Sequence, residues 1–232
     1  MDEVDLSGQY IALAIPTYDG RWSIEAAAAT IQATQEMRKH GVRLGTIFQS
    51  GNSLIAHARN ALLAKFLETE ATHLLFLDSD VYFKPDDILR LLSWGTKKDV
   101  VAGCCPIRGH EKTFHITFLE NERGGVETWE GRLLGVERIG MAFTLIGRHV
   151  VERLVEDHQD FAYKTKEGDT HFMVFDTVYK DGGYIGEDFV FCDKVRQAGF
   201  EIWADPSIEM WHEDSCVRHG HMMEHLSKLK EE

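Results

Sequence analysis

A short apolar segment constrains this chain more than any other feature. His73 to Leu77 ends in four consecutive apolar residues, and Asp78-Ser79-Asp80 follows at once. Such a run is typical of a strand buried on both faces, as in a parallel sheet covered by helices. Open α/β sheets bind ligands at the carboxyl ends of their strands, which is where these aspartates stand. The segment therefore predicts an α/β fold with a polar site at the tip of this strand.

Two carboxylates beside an apolar strand point to a cation. They repel each other and are costly to desolvate unless a cation lies with them. Hard oxygen ligands suit Mg²⁺ or Mn²⁺, which proteins usually share with substrate phosphates. A structural interpretation also exists, because Asp often ends a strand or begins a turn. The strand before Asp78 and the helix pattern after Asp80 favour a metal and nucleotide site.

Composition narrows the possible classes of protein. The 232 residues, 44% of them hydrophobic, suffice for one domain with a substantial core. The 25 basic and 38 acidic residues give a net charge of −13, which disfavours general binding to phosphate backbones. No apolar run approaches a membrane span and the N-terminus is acidic, so we expect a soluble cytoplasmic protein. Its cysteines lack the spacing of a disulfide framework, so we expect reduced thiols at Cys104, Cys105, Cys192 and Cys216.

Strand and helix patterns alternate through the first half of the chain. Strands are predicted over residues 10–15, 42–48, 73–77 and 100–104, and helices over 24–40, 54–68 and 85–94. Ser23 is a suitable N-cap for the first helix, and Gly41 would end it. This alternation predicts an open, doubly wound, mainly parallel sheet flanked by helices.

The second half has a different pattern, which predicts antiparallel additions to the sheet. Strands are predicted over residues 113–119, 126–130, 139–146, 200–204 and 207–211, and helices over 148–156, 187–198 and from about 219. The polar stretch 157–169 is interpreted as a mobile loop. Glycines at 182 and 183 would let a loop close over a substrate before the helix that begins at Glu187.

Arg59 is the most informative residue after the two aspartates. Its neighbours on the predicted helix are all apolar: Ile55, Leu62, Leu63 and Phe66. An arginine inside a buried stripe is expensive unless its guanidinium meets an anion. Arg59 therefore either pairs structurally with an aspartate or reaches a nucleotide, or an aspartate that holds one, through a bidentate contact.

Two further groups of residues have both a functional and a structural interpretation. Thr17, Tyr18 and Asp19 end the first strand, where Tyr18 could stack on a base and Asp19 could bind a base or ribose; they could equally form an ordinary turn. Glu187 and Asp188 begin a helix, where acidic residues are favourable in any case but could also serve as a general base.

His212 follows a strand pattern near the end of the chain. One imidazole can complete the coordination of a cation already held by carboxylates and a diphosphate, although a single histidine is more often structural. The histidines and Cys216 that follow could alternatively form a zinc cluster. Their spacing matches no familiar zinc pattern, so a solvated helix is the preferred interpretation.

The order of five short segments resembles that of the GT-A glycosyltransferases, especially family 2-like members and fungal mannosyltransferases. These segments are Ile15 to Tyr18, Ala58 to Asn60, Phe76 to Asp80, Gly186 to Asp188, and Trp211-His212. The resemblance spans roughly residues 10 to 213. It implies a GT-A, Rossmann-like fold in a single catalytic domain over residues 1–232. Within that domain, residues from about 10 to 105 would form the nucleotide-binding half and those from about 106 to 213 the acceptor and catalytic half. A His-rich tail would follow at residues 214–232.

The resemblance also implies roles for individual residues. Asp78, Ser79 and Asp80 correspond to the DxD motif, in which Asp80 is the more direct ligand of Mn²⁺ or Mg²⁺ and Asp78 lies nearer the ribose or sugar. His212 corresponds to a histidine that coordinates the metal. Arg59 corresponds to an arginine that helps to hold the nucleotide. Asp188 or Glu187 corresponds to the ED pair, whose acid often serves as the base in inverting members. Thr17, Tyr18 and Asp19 correspond to the end of the first strand, which contacts the nucleotide.

The implied reaction is transfer of a sugar from a UDP- or GDP-sugar to an acceptor hydroxyl, with retention and inversion both open. Small soluble members occur in bacteriophages, where the acceptor is a glycan or a modified DNA base and the location is the host cytoplasm. Two alternatives remain. One is a nucleotidyltransferase that forms sugar nucleotides, for which Asp19-Gly20-Arg21 is a thin version of the expected basic loop. The other is a catalytically inactive nucleotide-sugar-binding module.

Overall fold

The computed structural model describes residues 4–107, 113–213 and 218–229. The helices are α1 (Ile24–Lys39), α2 (Ile55–Leu67), α3 (Asp86–Gly95), α4 (Arg148–Asp157), α5 (Glu187–Gln197) and α6 (Met222–Leu229). The strands of the N-terminal half are β1 (Tyr10–Thr17), β2 (Arg43–Ser50), β3 (His73–Leu77), β4 (Val81–Phe83) and β5 (Val100–Gly103). Those that follow are β6 (Ile116–Phe118), β7 (Thr128–Trp129), β8 (Leu133–Ile139), β9 (Phe143–Gly147), β10 (Ala162–Lys164), β11 (Thr170–Phe172), β12 (Val178–Lys180), β13 (Gly183–Ile185), β14 (Ile202–Asp205), β15 (Glu209–His212) and β16 (Arg218–His221).

One large sheet forms the centre of the molecule. Its strands follow the order β2-β1-β3-β9-β5-β14-β8-β6, and β7 pairs with β8. β1 lies parallel to β2 and β3, and β14 lies parallel to β5. β9 and β8 run antiparallel to their neighbours. The predicted fold class, an open and mainly parallel α/β sheet flanked by helices with antiparallel additions in the C-terminal half, is confirmed.

β3 is buried on both faces, as its apolar sequence predicts. Leu74 and Phe76 pack into a core cluster that includes side chains of α2, α4 and α5. Leu75 and Leu77 point the other way, into a cluster with side chains of α1 and α3. The two core layers therefore meet at β3, and the tip of β3 lies where both layers end.

Local signals set the helix ends in the first half. Ser23 accepts a hydrogen bond from the amide of Ala26, and α1 ends one residue before the cap at His40, with Gly41 at a φ of 68°. β1 continues through Pro16 to Thr17, whereas the sequence predicts its end at Ile15. Beyond Ala14 the β1 ladder continues to β2 alone, so a proline is tolerated there.

β4 extends the structure beyond the tip of β3 and was not predicted as a strand. It pairs antiparallel with β15, which in turn pairs with β16. The register places His212 opposite Val81 and Trp211 opposite Tyr82. This small sheet therefore brings the end of β15 next to the aspartates that follow β3.

The predicted strand over 139–146 is wrong as a single element. β8 ends at Ile139 and β9 begins at Phe143. The two strands are not neighbours, because β8 pairs with β14 while β9 lies between β3 and β5, so the chain must turn between them. The apolar composition of this stretch conceals that turn, and the first six residues of β8 were not predicted as strand.

Two other expectations in the second half are corrected. The stretch 157–169 contains a short 3₁₀ helix at Gln159–Phe161 and strand β10, which forms a hairpin with β11, so it is not simply a loop. The C-terminal helix begins at Met222, because residues 218–221 form β16 against β15. Local periodicity did not reveal either pairing.

Among the described residues, no helix combines the length and apolar character needed to cross a membrane. Cys104, Cys105 and Cys192 are free thiols, as expected. Cys216 lies outside the described residues.

Candidate active site at the tip of β3

A tight turn after β3 presents the two aspartates. The amide of Asp78 donates to the carbonyl of Ala142 over 3.1 Å, and the carbonyl of Asp78 accepts from the amide of Val81 over 3.1 Å. The carbonyl of Ser79 accepts from the amide of Ser23 over 2.9 Å, which places the start of α1 beside the turn. The side chains of Asp78 and Asp80 are 27% and 30% exposed, so both carboxylates reach solvent.

Arg59 joins this turn to the start of α5. One terminal nitrogen lies 3.0 Å from Oδ1 of Asp78, and the other lies 2.5 Å from Oε1 of Glu187. The arginine side chain is only 4% exposed, and its guanidinium carbon lies within 6 Å of the ring centroids of Phe76 and Phe175. Arg59 thus reaches an aspartate of the motif, and both of its terminal nitrogens contact carboxylates.

The charge of Arg59 is secured by its surroundings. Burial by itself would lower the pKa of the guanidinium, but the nearby carboxylates of Asp78, Glu187 and Asp188 outweigh that effect and raise it. The side chain therefore stays charged, and it partly neutralises these three carboxylates, which would otherwise repel one another.

The two candidate bases at the start of α5 have different surroundings. Glu187 is ion-paired with Arg59, and its side chain is 15% exposed. Asp188 forms no ion pair within the described part of the chain, and its Oδ1 accepts from the amide of Phe189 over 2.8 Å. A Cβ added to Gly186 would lie 3.1 Å from Oδ1 of Asp188, and one added to Gly140 would lie 3.7 Å from Oδ2. The first of these contacts would be tight and the second ordinary, so the missing side chain at Gly186 leaves room for the Asp188 carboxylate.

His212 lies against Asp80. Its Nε2 is 3.6 Å from Oδ1 of Asp80, and its Nδ1 is 2.8 Å from the carbonyl oxygen of Pro106. A carbonyl can only accept, so Nδ1 carries the proton, and in the neutral ring the lone pair is then on Nε2, which faces the carboxylate. An imidazole oriented in this way by a backbone carbonyl is typical of a metal ligand.

The donor set at this point suits a hard or borderline cation. Carboxylate oxygens from Asp78 and Asp80 and the imidazole nitrogen of His212 fit Mn²⁺ or Mg²⁺ in ligand type. Among the described residues, no group of three or more His, Cys, Asp or Glu side chains is arranged so that it could hold a metal ion. The described side chains alone therefore do not form a metal site, and a cation here would also need oxygen ligands from a bound substrate.

The residues at the end of β1 bond mainly within their own turn. The hydroxyl of Thr17 donates to the carbonyl of Arg21 over 2.8 Å, and Oδ1 of Asp19 accepts from the amide of Arg21 over 3.0 Å. The carbonyl of Tyr18 accepts from Gly51, while the side chain of Tyr18 is among the most exposed aromatic groups, at 71%. The Tyr18 ring is thus accessible at the carboxyl edge of the sheet.

Two residues near the site were not predicted from the sequence. The Asn60 side chain donates to the carbonyl of Phe175 and accepts from its amide, each over 2.8 Å, and is 1% exposed. An asparagine next to Arg59, in a helix with a buried face, was the sequence signal that could have revealed this contact, because buried polar groups form hydrogen bonds. Cys105 lies near Asp78, and burial raises the pKa of its thiol well above the usual range, with a smaller contribution from Asp78. The thiol therefore stays protonated and is not a nucleophile.

A cavity of about 1100 Å³ lies elsewhere, between the N-terminal segment, the end of α1 and the start of α3. Its lining includes Lys39, His40, Asp86 and Arg90, and none of the candidate site residues. The candidate site at β3 is therefore distinguished by its charged groups and not by a large cavity.

No protein-family profile matches the chain, and no curated protein does. The structure is similar to that of S. aureus TarS 1-349 in complex with UDP-GlcNAc, with 14% identity, a TM-score of 0.41, and coverage of 84% of this chain and 56% of that one. It is also similar to GalNAc-T7 with UDP, GalNAc and Mn²⁺, with 10% identity, a TM-score of 0.46, and coverage of 92% and 43%. A third similarity is to the 4-diphosphocytidyl-2C-methyl-D-erythritol synthase of Anaerococcus prevotii, with 11% identity, a TM-score of 0.38, and coverage of 69% and 81%.

Proposed function

We propose that this protein is a metal-dependent glycosyltransferase that moves a sugar from a nucleoside-diphosphate sugar to an acceptor hydroxyl. One observation carries the proposal: two aspartates at the tip of β3 lie between a histidine on one side and a buried arginine on the other. His212 is 3.6 Å from Asp80, and Arg59 is 3.0 Å from Asp78. A site with these groups in partial contact with solvent can bind a cation together with a diphosphate.

Asp78, Asp80 and His212 would hold Mn²⁺ or Mg²⁺, with Asp80 and His212 as direct ligands. The diphosphate of a UDP- or GDP-sugar would complete the coordination that the protein leaves open. When bound, the cation neutralises the negative charge that develops on the departing nucleoside diphosphate. Asp78 would lie nearer the ribose or sugar, and Ser79, Thr17, Tyr18 and Asp19 would contact the nucleotide, with the exposed Tyr18 ring against the base.

Asp188 is assigned as the general base for an inverting reaction. Its carboxylate takes the proton of the acceptor hydroxyl, the acceptor oxygen bonds to the anomeric carbon, and the bond from that carbon to the diphosphate oxygen breaks. Glu187 is less suited to this role because Arg59 already binds it at 2.5 Å. Arg59 acts as a positioning residue that fixes the motif and the start of α5 relative to each other, since both of its terminal nitrogens are used on carboxylates.

The nucleotidyltransferase alternative depends on a basic loop after β1. Arg21 is the basic residue of that loop, and its side chain is 88% exposed and lies 3.4 Å from Asp19. An exposed arginine that pairs with its own turn contributes little to binding a triphosphate.

The acceptor of the proposed transfer is a glycan or a modified nucleobase.

Donor binding is tested by thermal unfolding. Mn²⁺ together with a UDP- or GDP-sugar should raise the melting temperature, because a ligand that binds only the native state stabilises it. Asp80→Asn should remove the metal-dependent part of the increase and leave the melting temperature of the free protein nearly unchanged, since the side chain is partly exposed. No increase for wild type with any nucleotide sugar and either cation would refute the proposed donor class.

Catalysis is tested separately with Asp188→Asn. This variant should keep the thermal shift given by Mn²⁺ and nucleotide sugar, and should lose sugar transfer by about a hundredfold or more because the base is gone. Glu187→Gln is the matched control in the same helical turn. Its loss of transfer activity should be accompanied by weaker donor binding, because Glu187 pairs with Arg59. Transfer by Asp188→Asn at the wild-type rate would remove Asp188 as the base.

A further inference from the structure

A β-hairpin projects into solvent immediately before the candidate base. β12 and β13 pair only with each other in the described structure, and every residue from 177 to 184 is exposed. Asp181 and Gly182 form its turn with φ values of 54° and 79°, the left-handed conformation that a two-residue hairpin turn requires. The hairpin is therefore regular and locally specified, although it contributes no side chain to either core cluster.

The hairpin carries two exposed aromatic rings on one face. Tyr179 and Tyr184 are directly opposite each other in the ladder, so their side chains project to the same side. Their exposed fractions are 77% and 74%. Two adjacent aromatic side chains left in water at the edge of a site are typical of a binding surface.

Both stems of this hairpin are fixed by neighbouring residues of α2. Asn60 holds the amide and carbonyl of Phe175 upstream of β12, and Arg59 holds Glu187 downstream of β13. The hairpin is thus mounted on the same helix that positions the site. Tyr184 precedes Asp188 by four residues, which limits the distance between their Cα atoms to about 14 Å.

We propose that the face formed by Tyr179 and Tyr184 is an acceptor subsite that stacks a pyranose ring of a glycan. This inference rests on the proposed function and specifies its acceptor. The apolar face of a sugar ring can pack on the tyrosine rings, and the phenol groups can hydrogen-bond with its hydroxyls. Tyrosine supplies such contact area at a small cost in conformational entropy.

The charge of the hairpin favours a glycan over a nucleic acid. Residues 177–185 contain one basic residue, Lys180, and one acidic residue, Asp181, and the whole chain carries −13. Proteins that stack nucleobases on aromatic rings also line the path of the phosphates with basic side chains. The hairpin offers the stacking surface without such a basic path, as suits a neutral sugar chain.

The test uses the full chain with Mn²⁺ and UDP on a printed oligosaccharide array, compared with a DNA duplex as the second probe. Wild type should bind at least one oligosaccharide, and the double variant Tyr179→Ala/Tyr184→Ala should bind it about tenfold more weakly. Tyr179→Phe/Tyr184→Phe, which keeps the rings, should retain most of the affinity. Lys180→Ala is the matched control on the same hairpin and should bind as wild type does.

Three outcomes would overturn the inference. In the first, the wild-type protein binds no oligosaccharide. In the second, the wild type and the double alanine variant bind oligosaccharide equally well. In the third, the two tyrosines are needed for binding of the DNA duplex instead. The thermal shift with Mn²⁺ and nucleotide sugar, measured on the same proteins, separates the two proposals. If wild type shows that shift but the hairpin variants bind glycans normally, the acceptor subsite fails while the proposed donor chemistry stands.

Discussion

The guanidinium of Arg59 contacts both Asp78 and Glu187, and Glu187 lies 128 residues further along the chain than Arg59. Its carboxylate partners are largely or partly buried, so removing the arginine leaves their charges uncompensated. From the sequence alone we expect Arg59→Leu to weaken nucleotide binding with little loss of stability. The two ion pairs change that expectation, because a residue that fixes the site in this way also stabilises the fold.

We therefore predict that Arg59→Leu lowers the free energy of unfolding by about 2 to 3 kcal/mol and abolishes the thermal shift with Mn²⁺ and nucleotide sugar. Arg59→Lys should recover part of the stability, since it keeps the charge, but not the donor affinity, since one ammonium cannot contact both carboxylates in the same geometry. Urea unfolding and calorimetric titration with UDP and Mn²⁺ measure the two effects. Full recovery of donor affinity by lysine would show that the fork of the guanidinium is unnecessary.

At the scale of single elements, the start of α3 contains a carboxylate whose ionisation is disfavoured by burial. Oδ2 of Asp87 accepts from the amide of Lys84 over 3.0 Å, and the residue is 7% exposed. Burial raises the pKa of Asp87 to about 6 from its usual 3.8, despite that hydrogen bond. The native state therefore binds a proton over a range of pH in which the unfolded chain has already lost it.

The sign of the pH effect follows from that difference. Because the pKa in the folded state is the higher one, the contribution of Asp87 to stability decreases as pH rises from about 4 to about 6. Asp87→Asn keeps an acceptor and does not titrate, so its free energy of unfolding relative to wild type should increase by about 2 kcal/mol over this range. Urea unfolding at several pH values measures this, with the exposed Asp86→Asn as control. A constant difference between Asp87→Asn and wild type would contradict the prediction.

At the scale of the whole molecule, the two halves of the sequence interleave in one sheet. β9, from the second half, lies between β3 and β5, and β14 continues the sheet beside β5. Each of the two core clusters contains residues from both halves. The division into a nucleotide half and an acceptor half stays a prediction, and both halves share the sheet.

We predict that residues 1–105 expressed alone show no cooperative unfolding transition, because β3 and β5 would lose the strand between them and both core clusters would be open. Circular dichroism during urea titration measures this. A full-length chain cleaved after Lys166, in the exposed turn between β10 and β11, is the control and should remain assembled with a cooperative transition. Cooperative unfolding of residues 1–105 alone would contradict the prediction.

The sequence by itself determined the environment of most residues in the first half. The apolar run before Asp78 predicts a strand buried on both faces, and Ser23 and Gly41 set the ends of α1, because these signals act within a few residues. The position of Arg59 within an apolar stripe also predicts that its guanidinium meets an anion. These inferences needed no knowledge of which strands pair.

Only the tertiary structure decided which residues meet. The insertion of β9 between β3 and β5, the pairing of β4 with β15 that brings His212 to Asp80, and the choice of Arg59 for Glu187 rather than Asp188 all depend on contacts between distant parts of the chain. Local periodicity specifies which face of an element is buried but carries no information about its neighbour. Packing and electrostatics of the whole fold select the partners. The sequence therefore indicates which chemical groups take part, and the tertiary structure determines how they are arranged.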